Sequence, residues 1–408
     1  YLKASGVAPN IYLTLDDSGS MAWAFMPDSI GYWPNYTYNR FESSTFNPMY
    51  YDPTVTYKPP IGTDGSSLGD VSFTKAWLDG YNHSAGTVNL ASWYWATYSY
   101  QPYYVTGSGP GPAYYYQYNP TCGNVNSDSC YNRVDVTKQS ATQQQNFANW
   151  YSYYRTRILM AKTAISLAFG KLGSDTRVAG QNINTHILNP SSPSGVQMLH
   201  PFSGANRSNW FSWLDGVIPN GGTPLRRALK RVGVYYSTSG INSPYAKTPG
   251  SQDAPEYSCR QNFSVLMTDG MWNGYSPSVG NADNTSGPVI TDAQGKTHQY
   301  KPTPPYEDDS SDTLADVAMR YWDRDLRSDL ANDVPAYLPY IHYKADGVTT
   351  DPTATFYDYR NDPADWQHMV TFTIGLGVDG TLDPSTDLPG LIAGTTTWPD
   401  PLPGGTVT

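Results

Sequence analysis

Two hydrophobic periods run along this chain. Short, nearly continuous apolar runs predict buried strands at 10–15 (where Ile11-Tyr12-Leu13-Thr14-Leu15 stands), at 262–267 and at 369–375, with a strand pair or one bent strand at 177–188. Helical spacing predicts a long helix over 144–172, carried by Ile158, Leu159, Ala161, Ile165 and Ala168. Shorter helices are predicted at 210–217, 224–236 and 311–330. Pro224 suits the start of the second, and Asp308, Asp309 and Asp312 suit the positive end of the third. The final segment, 382–403, is broken by prolines and carries little helical signal. Strands alternating with helices imply an α/β fold, with a mostly parallel central sheet flanked by helices on both faces. Ligands of such sheets bind at the carboxyl ends of the strands.

Between the first strand and the long helix lies a polar, aromatic, glycine- and proline-rich region too long for a structureless connection. The expected organisation is one domain formed by 1–24 and 143–408, with a polar loop insertion near 271–306, and an insertion subdomain over 25–142. The densest aromatic part runs from Trp93-Tyr94-Trp95 to Tyr114-Tyr115-Tyr116-Gln117-Tyr118. Its rings either pack the insertion's own core or present a recognition surface, for which tyrosine gives large contact area at low entropy cost.

Composition narrows the class. Aromatics reach 14% against 15% charged residues, with 36 glycines and 33 prolines, which is too aromatic for disorder and too rich in turn formers for a helical bundle. The mixture reads as a rigid, loop-heavy extracellular protein. A net charge of −10 argues against nucleic acid and against adsorption to anionic lipid. No apolar stretch approaches the roughly 20 residues needed to span a bilayer. No signal peptide opens the chain, so numbering from a trimmed start is expected. Among 3 cysteines, Cys122 and Cys130 read as a looped pair. Closing so short a loop stabilises by about 2.6 kcal/mol in an oxidising compartment. Cys259 reads as a buried thiol leading into the strand at 262–267.

Candidate chemistry sits where the predicted strands end. Asp16-Asp17-Ser18-Gly19-Ser20-Met21 follows the first strand, so one carboxylate and two hydroxyls share a tight turn. Gly221-Gly222-Thr223-Pro224-Leu225 offers a threonine hydroxyl on a loop that opens a helix, and Thr268-Asp269-Gly270 offers a second aspartate at the end of another strand. Oxygens of Asp16, Ser18, Ser20, Thr223 and Asp269 suit a small hard cation, since Mg2+ takes about six oxygen ligands at roughly 2.0–2.1 Å and keeps some of its waters. In this order the three pieces resemble the metal-ion-dependent adhesion site (MIDAS) of von Willebrand factor A domains. That resemblance implies a Rossmann-like A-domain sheet and a site for Mg2+ (or Mn2+ or Ca2+). Ser18, Ser20 and Thr223 would ligate directly, Asp16 and Asp269 mostly through water, and one position would be left for a partner's carboxylate.

Longer phrases resemble one family. Phe46-Asn47-Pro48-Met49-Tyr50-Tyr51-Asp52-Pro53 with Tyr57-Lys58-Pro59-Pro60, the run Asn146-Phe147-Ala148-Asn149-Trp150-Tyr151-Ser152-Tyr153-Tyr154-Arg155-Thr156-Arg157, the stretch from Leu266 to Gly274 and the stretch from Trp366 to Val378 are similar to phrases of the PilY1/PilC family of type IV pilus-tip proteins. The resemblance implies a secreted, non-enzymatic protein at the pilus tip on the bacterial cell surface, attached through minor pilins. It also implies roles in pilus biogenesis, adhesion to host or abiotic surfaces, twitching motility and surface sensing. Family members carry a C-terminal β-propeller with its own calcium loop. This chain carries no propeller repeats, so it is expected to correspond to the N-terminal A-domain half, and docking on minor pilins is expected to run through the propeller.

Other motifs fail on context. Gly375-Leu376-Gly377-Val378-Asp379-Gly380 fits a dinucleotide fingerprint, but the turn Thr381-Leu382-Asp383-Pro384 stands where the pyrophosphate-binding helix is required. Gly65-Ser66-Ser67-Leu68-Gly69 lacks the central strand of a hydrolase elbow. The 6 histidines show no ligand spacing; His368 is placed at a strand start and His186 within or beside a strand. Glu307-Asp308-Asp309 reads as a solvated helix entrance, and Asp323, Asp325 and Asp329 with Arg324 and Arg327 as an exposed helical face. A hydrolase would need a base near the cation, and Asp17 is the one spare carboxylate in the motif. Two readings therefore stand: a metal-assisted binding module, or a force-bearing tip cap in which the metal braces three loops and the aromatic insertion makes the contacts. A-domain switching through the last helix is not expected from a proline-broken 382–403.

Overall fold

Six buried residues in a row, Asn10–Leu15, form strand β1, and the rest of the central sheet is placed against it. The structure is a computed structural model, in which the described residues are 6–32, 39–94, 110–252, 254–338, 340, 343–344, 348–351, 354–378 and 380–401. After β1 come the short strands β2 (Ala76–Trp77) and β3 (Thr87–Val88), then β4 (Tyr114–Tyr118) and β5 (Tyr131–Asp135). Helices α1 (Ala141–Tyr153) and α2 (Arg157–Phe169) lead to β6 (Arg177–Asn182), β7 (His200–Pro201), α3 (Gly204–Asp215) and α4 (Leu225–Tyr236). The chain continues through β8 (Asn262–Thr268), β9 (Val289–Thr291), β10 (Thr297–Gln299), α5 (Leu314–Arg320), β11 (Val370–Gly375) and α6 (Pro384–Ala393).

The main sheet has the order β11-β8-β1-β6-β7, parallel throughout except for β7. This is the α/β class the periodicity predicts. Alternation along β1 sorts its side chains onto two faces. Ile11, Leu13 and Leu15 pack with Phe263, Met267 and the apolar faces of α2 and α3, while Tyr12 packs with Leu229, Val232 and Tyr235 of α4 and Val317 of α5. Gly180 of β6 lies beneath Trp213, and a Cβ there would sit 2.5 Å from the indole. Gly180, Leu13, Val265 and Phe372 stand side by side across the sheet. That apolar row is buried at Gly180 and Leu13, half-buried at Val265 and runs out at Phe372 of β11, which is 41% exposed; Ile374 of the same strand is 44% exposed. Among the described residues no helix is long and apolar enough to cross a membrane.

The aromatic region between β1 and α1 builds a core of its own. Phe41, Tyr50, Tyr51, Tyr94 and Tyr115 are buried around Phe147, Trp150 and Tyr151 of α1. The Tyr50 and Tyr94 hydroxyls meet at 2.6 Å, and the Trp150 indole donates to the Met49 carbonyl at 3.0 Å. Packing is thus what these buried rings do, whereas Trp93 is 48% exposed; Trp95 and the rest of 95–109 lie outside the described residues. Cys122 and Cys130 are disulfide-bonded as the spacing suggests, whereas Cys259 is half-buried in a loop rather than buried.

Several elements differ from expectation. The helix over 144–172 is two helices, because Thr156 caps α2 through the Leu159 amide and the Arg157 amide donates to the Trp23 carbonyl. The helix expected over 311–330 is only α5: Thr313 and Asp316 form a capping box, and Asp312 instead accepts from the Val279 and Gly280 amides. The residues beyond it are not an exposed helical face. Asp323 and Arg327 are buried, and Arg327 makes a bidentate pair with Glu256 and another with Asp329. Segment 382–403 does carry a helix, α6. Asp383 accepts from the Ser385 amide, Pro384 occupies the first turn where no amide donor is missed, and Gly394 closes the end in the left-handed region. Pro389 lies inside α6, and Asp379 and residues 402–403 lie outside the described residues.

Glu42 is buried in the aromatic region with the Tyr114 hydroxyl donating to it at 3.1 Å, and burial pushes its carboxyl up to about 8. A carboxyl that binds its proton more tightly when folded lends stability that is full below the unfolded value near 4.5 and is lost as pH rises through about 8. Glu42→Gln keeps the acceptor without the charge. Urea denaturation at pH 5, 7 and 9 is expected to show a fall in stability for the native chain that the variant largely lacks.

Candidate functional site

Parallel pairing of β1 with β8 brings the ends of both strands to one rim, where the Asp16 amide donates to the Met267 carbonyl at 2.9 Å. Asp16 is buried with both oxygens occupied: one accepts from the Ser18 amide at 2.7 Å, the other from the Thr268 hydroxyl at 2.6 Å. A short 3-10 turn, Gly19–Ala22, then carries Ser20 across to β8. Ser20 donates to Asp269 at 2.9 Å, and the Ser18 and Ser20 hydroxyls lie 3.0 Å apart. With Ser20 donating to the carboxylate, the Ser18 hydroxyl donates to Ser20. Asp269 is fully buried, and its second oxygen accepts from Arg157 at 2.9 Å.

Thr223 stands on the neighbouring loop. The Gly19 amide donates to the Gly221 carbonyl at 3.1 Å, and the Asn220 amide to the Asp17 carbonyl at 2.5 Å, so the two loops are joined by backbone. Gly221 takes a φ of +89°, the left-handed region in which glycine is at ease. The Thr223 amide donates to the Asn273 side chain at 2.7 Å, and its hydroxyl meets Asn273 at 3.5 Å rather than Ser18 or Ser20. Four of the five residues singled out from the sequence thus form one hydrogen-bonded chain, and the fifth sits on the adjoining loop.

Asp17 is not a spare carboxylate. It accepts from the Asn184 and Thr185 amides at 2.8 and 3.0 Å, from the Asn182 and Asn184 side chains at 3.1 and 3.2 Å, and from the Thr185 hydroxyl at 2.6 Å. Five donors fix the loop after β6 to the loop after β1 and leave this group no freedom to act as a base. Burial, then the charge of Asp269, pushes Asp16 up to about 6; burial also raises Asp269, against the pull of Arg157. Of these two buried carboxylates, Asp269 alone is paired with the Arg157 guanidinium. The donors here are oxygens alone, hard ligands suited to Mg2+, Mn2+ or Ca2+. Among the described residues no three His, Cys, Asp or Glu side chains are placed to hold a metal, so a cation at this rim would depend on the hydroxyls. On that chemistry the residues fit.

Sequence reasoning missed Arg157, Asn273 and the asparagines around Asp17. Arg157 carried no local signal, because the break that puts it in the first turn of α2, at the end whose dipole repels a cation, is unmarked in the sequence. It is 0% exposed, and besides Asp269 it binds the Phe25 carbonyl at 3.0 and 2.8 Å and Asp28 at 2.5 Å. Removing one partner of a buried ion pair strands the other charge. Arg157→Ala is expected to lower unfolding free energy by about 3–5 kcal/mol in chemical denaturation, with Asp269→Asn in the same chain restoring part of the loss.

Across 398 residues the chain is 44% identical to the type IV pilus biogenesis factor PilY1 of Pseudomonas aeruginosa strain PAK, a match covering 92% of this chain and 32% of that protein. It is 43% identical over 419 residues to the PilY1 of strain PAO1 and 37% identical over 434 residues to that of strain UCBPP-PA14, matches that cover 34% and 35% of those proteins. The chain spans about a third of the length of these relatives. No family model matches the chain, and no solved structure matches it.

Proposed function

Since this chain is homologous over most of its length to type IV pilus biogenesis factor PilY1, we propose that it is a non-enzymatic, extracellular module of the pilus tip that serves pilus biogenesis and adhesion. Its sheet is read as a von Willebrand factor A-type sheet with a divalent cation at the rim. The single observation that carries the metal part is the chain Ser18–Ser20–Asp269 beside Asp16, at the carboxyl ends of β1 and β8. Ser18, Ser20 and Thr223 would hold the ion, with Asp16 and Asp269 behind them. The ion would supply positive charge for a partner's carboxylate. The chain's own part is to hold these groups in place: Thr268 orients Asp16, Arg157 orients Asp269 and Asn273 fixes the Thr223 loop. Minor pilins and a host or abiotic surface are the partners this reading implies.

One observation favours the second reading, a force-bearing cap. Arg157 already neutralises Asp269 and ties it to residues 25–28, so the loops are braced by protein charge alone. Calorimetry with MgCl2 separates the two. The native chain is expected to bind the ion and to gain about 2.7 kcal/mol of stability at a hundredfold excess over Kd, and Ser18→Ala or Asp16→Ala to abolish both effects. A native chain whose melting is the same in magnesium and in chelator would sink the metal reading.

A further inference from the structure

Two cavities adjoin beside the loop that follows β8. The larger, about 820 Å3, is walled by Met271, Trp272, Tyr306, Leu314 and Trp398. The smaller, about 680 Å3, is lined by Glu307, Asp308, Asp309 and Asp400. Asp308, Trp398 and Asp400 line both, so the two form one groove with an aromatic half and an acidic half. Among the described residues no lysine, arginine or histidine lines either part. Of the acids expected to flank a helix start, Asp308 and Asp309 instead line this groove, since α5 begins only at Leu314 behind its Thr313 cap.

The shared wall is preformed. The Trp398 indole donates to the Pro305 carbonyl at 2.6 Å, which pins the ring while leaving it 43% exposed. One face of Trp272 is already taken by the Arg226 guanidinium, 5.4 Å from its ring, so Trp398 and Tyr306 are the rings that remain for a guest. Burial, with the charges of Asp316 and Asp309, raises the Asp308 carboxyl, so the acids repel one another. Each cavity falls in the range of ligand clefts, roughly 300–1,000 Å3.

We propose that this groove docks a basic peptide segment of a protein partner, with lysine or arginine heads on the carboxylates and across Trp398, and aliphatic stems along Tyr306 and Leu314. Charge complementarity selects the guest: Glu307, Asp308 and Asp309, with no cation lining the groove among the described residues, disfavour an anionic ligand. Their spread along the groove selects an extended chain over a point ion, because no three acids among the described residues are placed to hold a metal. Long basic side chains also suit a cleft with one apolar wall and one charged wall, burying their stems while the head stays on the carboxylates and the ring face. The groove needs no cation at the serine rim, so the inference stands apart from the metal reading.

The test is a titration in EDTA with an acetylated hexapeptide of alternating arginine and leucine, read by tryptophan fluorescence and calorimetry. Saturable binding is expected, weakened by salt, and absent for the counterpart with glutamate in place of arginine. Trp398→Ala and the double variant Asp308→Asn with Asp309→Asn are each expected to weaken binding about tenfold, while the remote Asp135→Asn leaves it unchanged. Should Trp398→Ala disturb folding, as near-UV circular dichroism would reveal, the isosteric asparagine pair decides. Equal binding of the acidic peptide, no saturable binding, or binding indifferent to the asparagine pair would overturn the proposal.

Discussion

The buried guanidinium of Arg157 is the constraint around which the rim is organised. A cation with no solvent exposure is tolerable only if its donors are matched, and here Asp269, Asp28 and the Phe25 carbonyl match them, with the Trp23 and Phe25 rings 4.9 and 5.4 Å away. The group joins three parts of the chain that are distant in sequence: the loop after β1, the first turn of α2 and the end of β8. It also decides the hydrogen-bond polarity of the site. With one oxygen of Asp269 committed to Arg157, the other is left for Ser20, and the Ser20 hydroxyl is thereby turned to accept from Ser18.

The same economy governs the aromatic region, where α1 supplies both the apolar core and the polar ties. Phe147, Trp150 and Tyr151 fill the interior, and aromatic pairs of this kind contribute about 0.5–1.5 kcal/mol each beyond area burial. Around them Asn149 accepts from the Val71 amide and donates to Asp70 and the Tyr57 carbonyl, and the Asn47 amide donates to the Ala24 and Phe41 carbonyls. Loops without regular structure are held because their backbone groups are answered by amide side chains. Tyrosine suits such a core since its hydroxyl finds a partner where phenylalanine would only fill space, as Tyr50 does with Tyr94.

Legibility followed the range of the interaction. Strands buried along their length, β1 throughout and β8 at all but Val265, announce themselves by composition, and the parallel class follows from helices between them. Asp16, Ser18, Ser20 and Asp269 were readable because strand ends in such a sheet share one rim. The break between α1 and α2 was not, because it has neither glycine nor proline; it exists because Thr156 caps one helix and Arg157 must reach Asp269. α6 was hidden by Pro389, since the cap at Asp383 and the left-handed Gly394 outweigh one lost amide. Arg327 read as part of a solvated face because its partner Glu256 lies 71 residues away. Local rules cannot see a long-range ion pair, and the corrections at Arg157 and Arg327 each trace to one.

β11 has β8 as its one strand neighbour among the described residues, and its outward backbone belongs to a parallel edge. Parallel sheets are ordinarily sheltered on both faces, so a margin carrying Phe372 and Ile374 at 41% and 44% exposure is the place where additional β structure can be appended at least topological expense. The surplus of negative charge over the chain, −10 in all, works against two such margins zipping together. High ionic strength removes that repulsion while leaving the apolar margin untouched. Concentrated salt is accordingly the condition under which two copies of this molecule are most prone to pair edge to edge.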